Sequence, residues 1–215
     1  MILVLGGRGS IGRRYCANLK AMGEEYVVYD TAKDTSRDIP KADMAIIATP
    51  TDTHGFYCRY LADRGTRFLC EKPLSMRYSE AQTLVEDIKI MNGDGYVVNN
   101  WEFALSKYTP KHALTYDFYN TGRDGIAHDC CQLIHIANKY DLELELYDES
   151  PVWMAMADGE LIDYRDMEIS YGAMLSAFIA GDDIALWTLE EGLEMVKDVV
   201  AYEASCSYSG SISLN

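Results

Sequence analysis

The first twelve residues constrain this chain most. Ile2–Leu5 is an unbroken apolar run of strand-formers, the pattern of a strand buried on both faces. It passes directly into Gly6-Gly7-Arg8-Gly9-Ser10-Ile11-Gly12, which contains G-x-G-x-x-G at Gly7, Gly9 and Gly12. Beyond it Ile11, Tyr15, Leu19 and Met22 fall on one face of a helix, and Gly23 is a natural C-terminal cap. A second apolar run, Tyr26–Tyr29, ends in Asp30, 18 residues past Gly12. Strand, glycines, helix, strand and terminal acid in this order predict a dinucleotide-binding unit. Gly7 and Gly9 would let the backbone turn tightly against a pyrophosphate, and Gly12 would let helix and strand pack closely. Arg8, Ser10 and Ile11 complete the loop, where the helix N-terminus offers free N–H groups to a phosphate. Asp30 would accept hydrogen bonds from the adenosine ribose and repel a 2′-phosphate, which favours NAD over NADP. Arg8 and Lys33 keep NADP open.

The alternation continues. Residues 43–48 read as a third buried strand ending at Thr49-Pro50-Thr51, followed by a helix to Gly65 that Thr51 or Asp52 would cap. Residues 66–70 read as a fourth strand leading into Glu71-Lys72-Pro73. A helix with Leu84, Val85, Ile88 and Met91 on one side reaches Gly93, and residues 96–98 close the series. Strands alternating with helices imply a doubly wound parallel sheet with ligands at the strand carboxyl ends.

Composition sets the outer bounds. A chain of 215 residues, 48% hydrophobic, can bury a sizeable core. With 19 basic and 34 acidic side chains its formal charge is 19 − 34 = −15, which argues against binding nucleic acid or a membrane surface. The six cysteines form no C-x-x-C pair, and the adjacent Cys130 and Cys131 read as two reduced thiols on a buried face. That usage implies a reducing compartment and no structural zinc. The histidines, at 54, 112, 128 and 135, make no i, i+4 pair, so no metal site is expected. No apolar run is long enough to span a membrane, and the glycines follow Leu5 too soon for a signal peptide. The expected location is the cytoplasm.

Several ordered segments resemble one family. They are the glycine loop, "IIATPTDTH" at 46–54, "GTRFLCEKPLS" at 65–75 with its Glu-Lys-Pro signature, and Asp124-Gly125-Ile126-Ala127-His128. The tail at 174–214 adds a helix, a Gly-containing turn, a second helix and a short terminal strand. Together they resemble the glucose–fructose oxidoreductase and inositol dehydrogenase (Gfo/Idh/MocA) family. The resemblance implies an N-terminal Rossmann domain, 1–105, and a second α+β domain, 106–215, with a small, mainly antiparallel sheet. Family members commonly exceed 300 residues, so the second domain reads as shortened, its sheet cut to three or four strands. "LELELYDESPVWMAMADGELIDY" at 142–164 alternates well enough to supply them, with Asp158-Gly159 as a tight hairpin turn.

The same resemblance implies an NAD-dependent oxidoreductase acting on a hydroxyl of a sugar, cyclitol or sugar-nucleotide-like substrate. Lys72 would polarise the substrate oxygen, His128 would relay the proton, and Asp124 would orient it. On the residues alone, Lys72 also reads as a surface lysine in a turn, and Asp124 as a helix cap paired with His128. Thr49, Pro50, Thr51, His54, Glu71, Lys72 and Pro73 join the glycine loop and Asp30 in the cofactor site. His54 reads equally as a helix-start histidine in solvent. Asn100 and Trp101 would line the substrate cleft with Asp124 and His128, though Trp101 could instead cover the seam between domains. His135 reads as a helix-packing residue. Glu102 stands before Phe103 where the family often has arginine, so a cationic substrate contact would be lost or inverted. A homo-oligomer, dimer or larger, is expected. The rival readings are a cofactor-binding protein without turnover and a reductase of a non-sugar substrate.

Overall fold

The computed structural model describes residues 1–30, 38–119, 130–147 and 149–209, of which 118–119, 149–153 and 206–209 are described by their backbone alone. Asp124, His128, Lys33 and the expected closing strand after residue 209 lie outside the described residues.

Five parallel strands make the first sheet: β1 (Ile2–Leu5), β2 (Tyr26–Tyr29), β3 (Met44–Ile47), β4 (Arg67–Cys70) and β5 (Gly95–Val97). A short strand from the far end of the chain, β10 (Trp187–Thr188), adds an antiparallel edge, giving the order β10-β5-β4-β3-β1-β2. Each buried strand sends alternate side chains to opposite helical layers. Ile2, Val4, Ile46 and Leu69 pack with Tyr15 and Leu19 of α1 (Ser10–Met22) and with Tyr171, Met174 and Phe178 of α6 (Tyr164–Ala180). Leu3, Leu5, Ile47 and Phe68 pack with α2 (His54–Ala62), α3 (Tyr78–Ile90) and α7 (Leu189–Ser209). Gly23 and Gly181 close α1 and α6 in the left-handed conformation, at φ 79° and 75°. The start of α2 differs from expectation: Thr51–Thr53 forms a 3₁₀ turn, the α-helix proper begins at His54, and no side chain caps it. Thr53 Oγ1 instead donates within the turn, to the Pro50 carbonyl 2.7 Å away.

The second sheet is smaller. β6 (Ala113–Tyr119), β7 (Glu143–Tyr147), β8 (Glu149–Ala157) and β9 (Glu160–Leu161) run in the order β7-β6-β8-β9. The β6–β8 and β8–β9 pairs are antiparallel and β6–β7 is parallel, so the sheet is mainly antiparallel. Asp158-Gly159 makes the β8–β9 turn, with both residues at positive φ. The Asp158 carboxylate also accepts from the backbone N–H groups of Lys111, His112 and Ala113 at 2.8–2.9 Å, which pins the start of β6. Leu114, Tyr116, Ala155 and Ala157 form the inner face, packed with Leu133 and Ile134 of α5 (Cys131–Tyr140). A short helix, α4 (Asn100–Leu105), joins the two sheets and lies along α6. Cys130 and Cys131 are buried and form no disulfide, as the sequence suggests.

Candidate active site

The glycine loop follows β1 and is tight for a structural reason. A Cβ on Gly12 would lie 2.2 Å from the Gly6 carbonyl oxygen and 2.6 Å from Gly7 Cα, so only glycine lets α1 approach the strand end. No side chain caps α1, and its first turn carries no acid. That end therefore offers uncompensated N–H dipoles to an anion. Tyr29 stands in register with Leu5, which sets Asp30 beside the loop at the end of β2. The residues present fit a dinucleotide, with pyrophosphate at Gly7 to Gly12 and ribose at Asp30.

A cleft of about 1000 Å³ opens from this loop between the first sheet and the second. Of the expected residues, Ile11, Thr49, Pro50, Thr51, His54, Glu71, Lys72, Asn100 and Trp101 line it. Gly7, Arg8, Gly9, Ser10, Gly12, Asp30 and Pro73 do not; they lie on the loop and strand ends around it. Asp124 and His128 fall outside the described residues.

His54 is not a solvent histidine. It is 1% exposed, with Nδ1 2.8 Å from the Pro73 carbonyl oxygen and Nε2 3.0 Å from that of Thr49. The ring thereby ties the ends of β3 and β4 together, and a neutral imidazole can donate only one of those contacts. The buried Glu71 carboxylate accepts from Tyr15 Oη at 2.6 Å and from the Lys72 backbone N–H at 3.1 Å. Burial, reinforced by the Glu71 charge, pushes the Tyr15 phenol well above its ordinary range, so it stays a donor. This bond connects the first helix after the glycine loop to the turn that carries Lys72.

The far wall comes from α4, the second sheet and α6. Asn100 Oδ1 accepts from Gln132 Nε2 at 3.1 Å, and the Trp101 N–H donates to Gln132 Oε1 at 3.0 Å, which fastens the start of α4 to α5. The Trp101 ring meets Tyr116 edge-on, centroids 5.4 Å apart, so it both lines the cleft and spans the seam. At Glu102 the substrate contact is lost rather than inverted. The residue does not line the cleft; its carboxylate accepts from Trp187 Nε1, Tyr140 Oη and, at 3.0 Å, Lys139 Nζ. It joins α4, α5 and β10, so its charge serves packing rather than substrate. Burial acts to raise its pKa, but the bonds from Tyr140, Lys139 and Trp187 prevail and hold it below the ordinary carboxylate range. His135 is also a packing residue: Nδ1 lies 2.6 Å from Asp198, and the ring meets Trp187 edge-on.

Sequence reasoning missed Arg14 and the α6 residues Tyr164, Met167, Glu168 and Tyr171, all of which line the cleft. The signal was available in their i, i+3, i+4, i+7 spacing, which puts them on one helical face. What the spacing lacks is any mark that this face meets α1 across a cleft.

Residues 11–93 match the model of an oxidoreductase family with an NAD-binding Rossmann fold, Gfo/Idh/MocA. These residues are similar to that family. NAD is therefore the cofactor of the Rossmann half, whose glycine loop and Asp30 fit it. No curated protein matches the chain in sequence. Solved structures share the fold across both sheets. A probable dehydrogenase from Thermotoga maritima aligns at TM-score 0.75 and 14% identity, over 97% of each chain. A myo-inositol dehydrogenase from Corynebacterium glutamicum aligns at 0.68 and 14%, over 100% of this chain and 98% of that one. The WlbA dehydrogenase from Thermus thermophilus, solved with NAD and UDP-GlcNAcA, aligns at 0.67 and 15%, over 91% and 92%. The Gfo/Idh/MocA fold is thus kept with a small second sheet, in an oxidoreductase. Among the described residues no helix is long and apolar enough to cross a membrane. Among them, too, no group of His, Cys, Asp or Glu could hold a metal ion.

Proposed function

We propose that this chain is an NAD-dependent dehydrogenase acting on a CH–OH group of a sugar, cyclitol or sugar-nucleotide-like substrate. The observation that carries the reading is the position of Lys72. It stands at the end of a Rossmann strand, in a cleft whose opposite wall is built by Trp101, Tyr116 and α6. Bound NAD would supply the hydride acceptor. Lys72 would hydrogen-bond the substrate oxygen and stabilise negative charge developing on it. His128 would take the hydroxyl proton and Asp124 would orient the imidazole, roles that rest on the resemblance of the D-x-x-x-H segment to the family's. Asn100, fixed by Gln132, would offer its amide to substrate hydroxyls, and Trp101 a flat apolar surface to a sugar ring. The Rossmann domain would run over 1–105 and the substrate domain over 106–215. Cys16, Cys58, Cys70, Cys130 and Cys131, none of them in a disulfide, fit a cytoplasmic setting. A dimer or larger assembly is part of this reading, and light scattering tests it.

A second reading, a reductase of an apolar or planar substrate, draws on one observation: Met76, Trp101, Met154, Ile162 and Met167 all line the cleft. The test separates the two. Nicotinamide absorbance is followed with a panel of sugars, cyclitols and nucleotide sugars beside a panel of aromatic diols and unsaturated carbonyls. Turnover confined to the polyhydroxylated panel supports the first reading, and turnover confined to the other panel overturns it.

A further inference from the structure

Arg14 sits on the cleft side of α1, two residues past Gly12, and its guanidinium reaches across to α6. Nη2 lies 2.9 Å from Glu168 Oε1 and 3.4 Å from Tyr164 Oη, and the guanidinium carbon stands 4.9 Å over the Tyr171 ring. Tyr164, Glu168 and Tyr171 are spaced i, i+4, i+7, so a single helical face presents phenol, carboxylate and phenol to one arginine. Among the described residues that line the cleft, Arg14 and Lys72 are the two that carry a standing positive charge. Both belong to one bonded path: Tyr15, the neighbour of Arg14, holds Glu71, the neighbour of Lys72. Asp52, Glu71 and Glu168 line the same cleft, so in a chain of net charge −15 these two cations are the lining groups that could attract an anion, and Glu168 already competes for Arg14.

A purely structural role does not account for the pair. The contact between α1 and α6 is already made by buried apolar groups, with Tyr15 edge-on to Tyr171 at 5.7 Å and Leu19 in the same cluster as Phe178. The Arg14 and Glu168 side chains are 31% and 41% exposed, and an ion pair that wet adds little to stability and is readily exchanged. An arginine held over an aromatic face presents a planar fork suited to a bidentate oxyanion.

Resting on the dehydrogenase reading and deepening it, we propose that Arg14 is the receptor for an anionic group, carboxylate or phosphate, carried by the substrate. Glu168 is the internal anion that this group displaces. The substrate then binds at two points, its reacting hydroxyl at Lys72 and its anion at Arg14. A neutral polyol leaves the Arg14–Glu168 pair closed and gains nothing from it. An anion replaces a single oxygen contact with a forked one.

The test is calorimetric titration of the NAD-saturated protein with glucose, glucuronate, glucose 1-phosphate and glucose 6-phosphate. The expected result is that at least one charged sugar binds about tenfold or more tighter than glucose. Arg14→Gln should bring that sugar within about twofold of glucose, and Arg14→Lys, which keeps the charge but not the fork, should retain part of the preference. Glu168→Gln, with the competing carboxylate removed, should tighten the charged sugar severalfold and leave NAD affinity unchanged. The proposal is overturned by no preference in the wild type, or by a preference that survives Arg14→Gln. It is equally overturned if Arg14→Gln weakens NAD itself by the same factor, which would assign the arginine to the cofactor phosphates. Nicotinamide absorbance in the same samples reports on the dehydrogenase reading separately. An Arg14-dependent preference without any absorbance change keeps the anion site and sinks hydride transfer, and turnover without a preference does the reverse.

Discussion

In the first sheet Ile2, Val4, Ile46 and Leu69 face one helical layer while Leu3, Leu5, Ala45 and Ile47 face the other, so these strands are removed from water on both sides. In the second sheet β7 exposes Glu143, Glu145 and Tyr147 and half-buries Leu144 and Leu146, and among the described residues only the inner ones of β6 and β8 are fully covered. The two regions therefore carry different obligations. A strand buried on both faces cannot change without disturbing two layers. A sheet with one free face can lose strands at its edge while its inner face still closes the cleft. The chemistry-bearing residues follow this division. Lys72, Glu71, Thr49 and His54 stand at the ends of the first sheet, and the second sheet lines the cleft through Tyr116, Met154 and Ala155.

Substitutions can break or sharpen this contrast. The largest effect is expected from Gly12→Val, whose Cβ would strike the Gly6 carbonyl and Gly7 backbone rather than a movable side chain. Urea denaturation should show a loss of about 3 kcal/mol or more, together with lost NADH binding. Leu69→Ala, at a fully buried position, should cost about 3 kcal/mol. Met156→Ala, on the half-buried outer face of β8, should cost less than about 1 kcal/mol. Equal losses at the two positions would mean that the outer face is covered in solution, which would erase the contrast and point to a second subunit there.

Glu102→Gln should cost about 1–2 kcal/mol, because it weakens bonds from Lys139, Tyr140 and Trp187. Its folded pKa lies below the ordinary value of 4.5. The stabilisation is therefore present above that value and is lost as pH falls through the lower folded one. The acid limb of the stability profile should flatten in the glutamine variant. The smallest effect is expected at Asp163, which caps α6 by accepting from the Arg165 N–H at 2.8 Å. Hydrogen bonds from Arg165 lower its pKa to about 2. Asp163→Ala should lower Tm slightly at neutral pH, and the difference from wild type should vanish as pH falls toward about 2.

The parallel sheet was legible in the chain because burial on both faces leaves a continuous apolar run, and Ile2–Leu5 and Met44–Ile47 are such runs. The Gly12 requirement was legible for the same kind of reason, since the contact it permits is local. The Asp158-Gly159 turn announced itself through residues that tolerate positive φ. β10 was not legible: two residues, Trp187 and Thr188, find their partners Val97 and Tyr96 some ninety positions earlier, and no local pattern encodes that pairing. The packing role of Glu102 was not legible either, because its partners, Lys139, Tyr140 and Trp187, are likewise remote in sequence. Arg14 escaped notice for the complementary reason. Its neighbours in the chain explain it as a helix-surface residue, and only the approach of α6 makes it part of a cleft.

The central claim is that the cleft between the two sheets carries out hydride transfer with Lys72 at its centre. The most direct measurement is the rate of NADH formation by wild type and Lys72→Ala on the best substrate of the sugar panel, alongside NADH affinity for both. The account expects kcat to fall by about 10²–10³ in the variant, with NADH affinity held within about threefold. Unchanged kcat in Lys72→Ala, or bound NADH with no turnover of any panel member by the wild type, would contradict it.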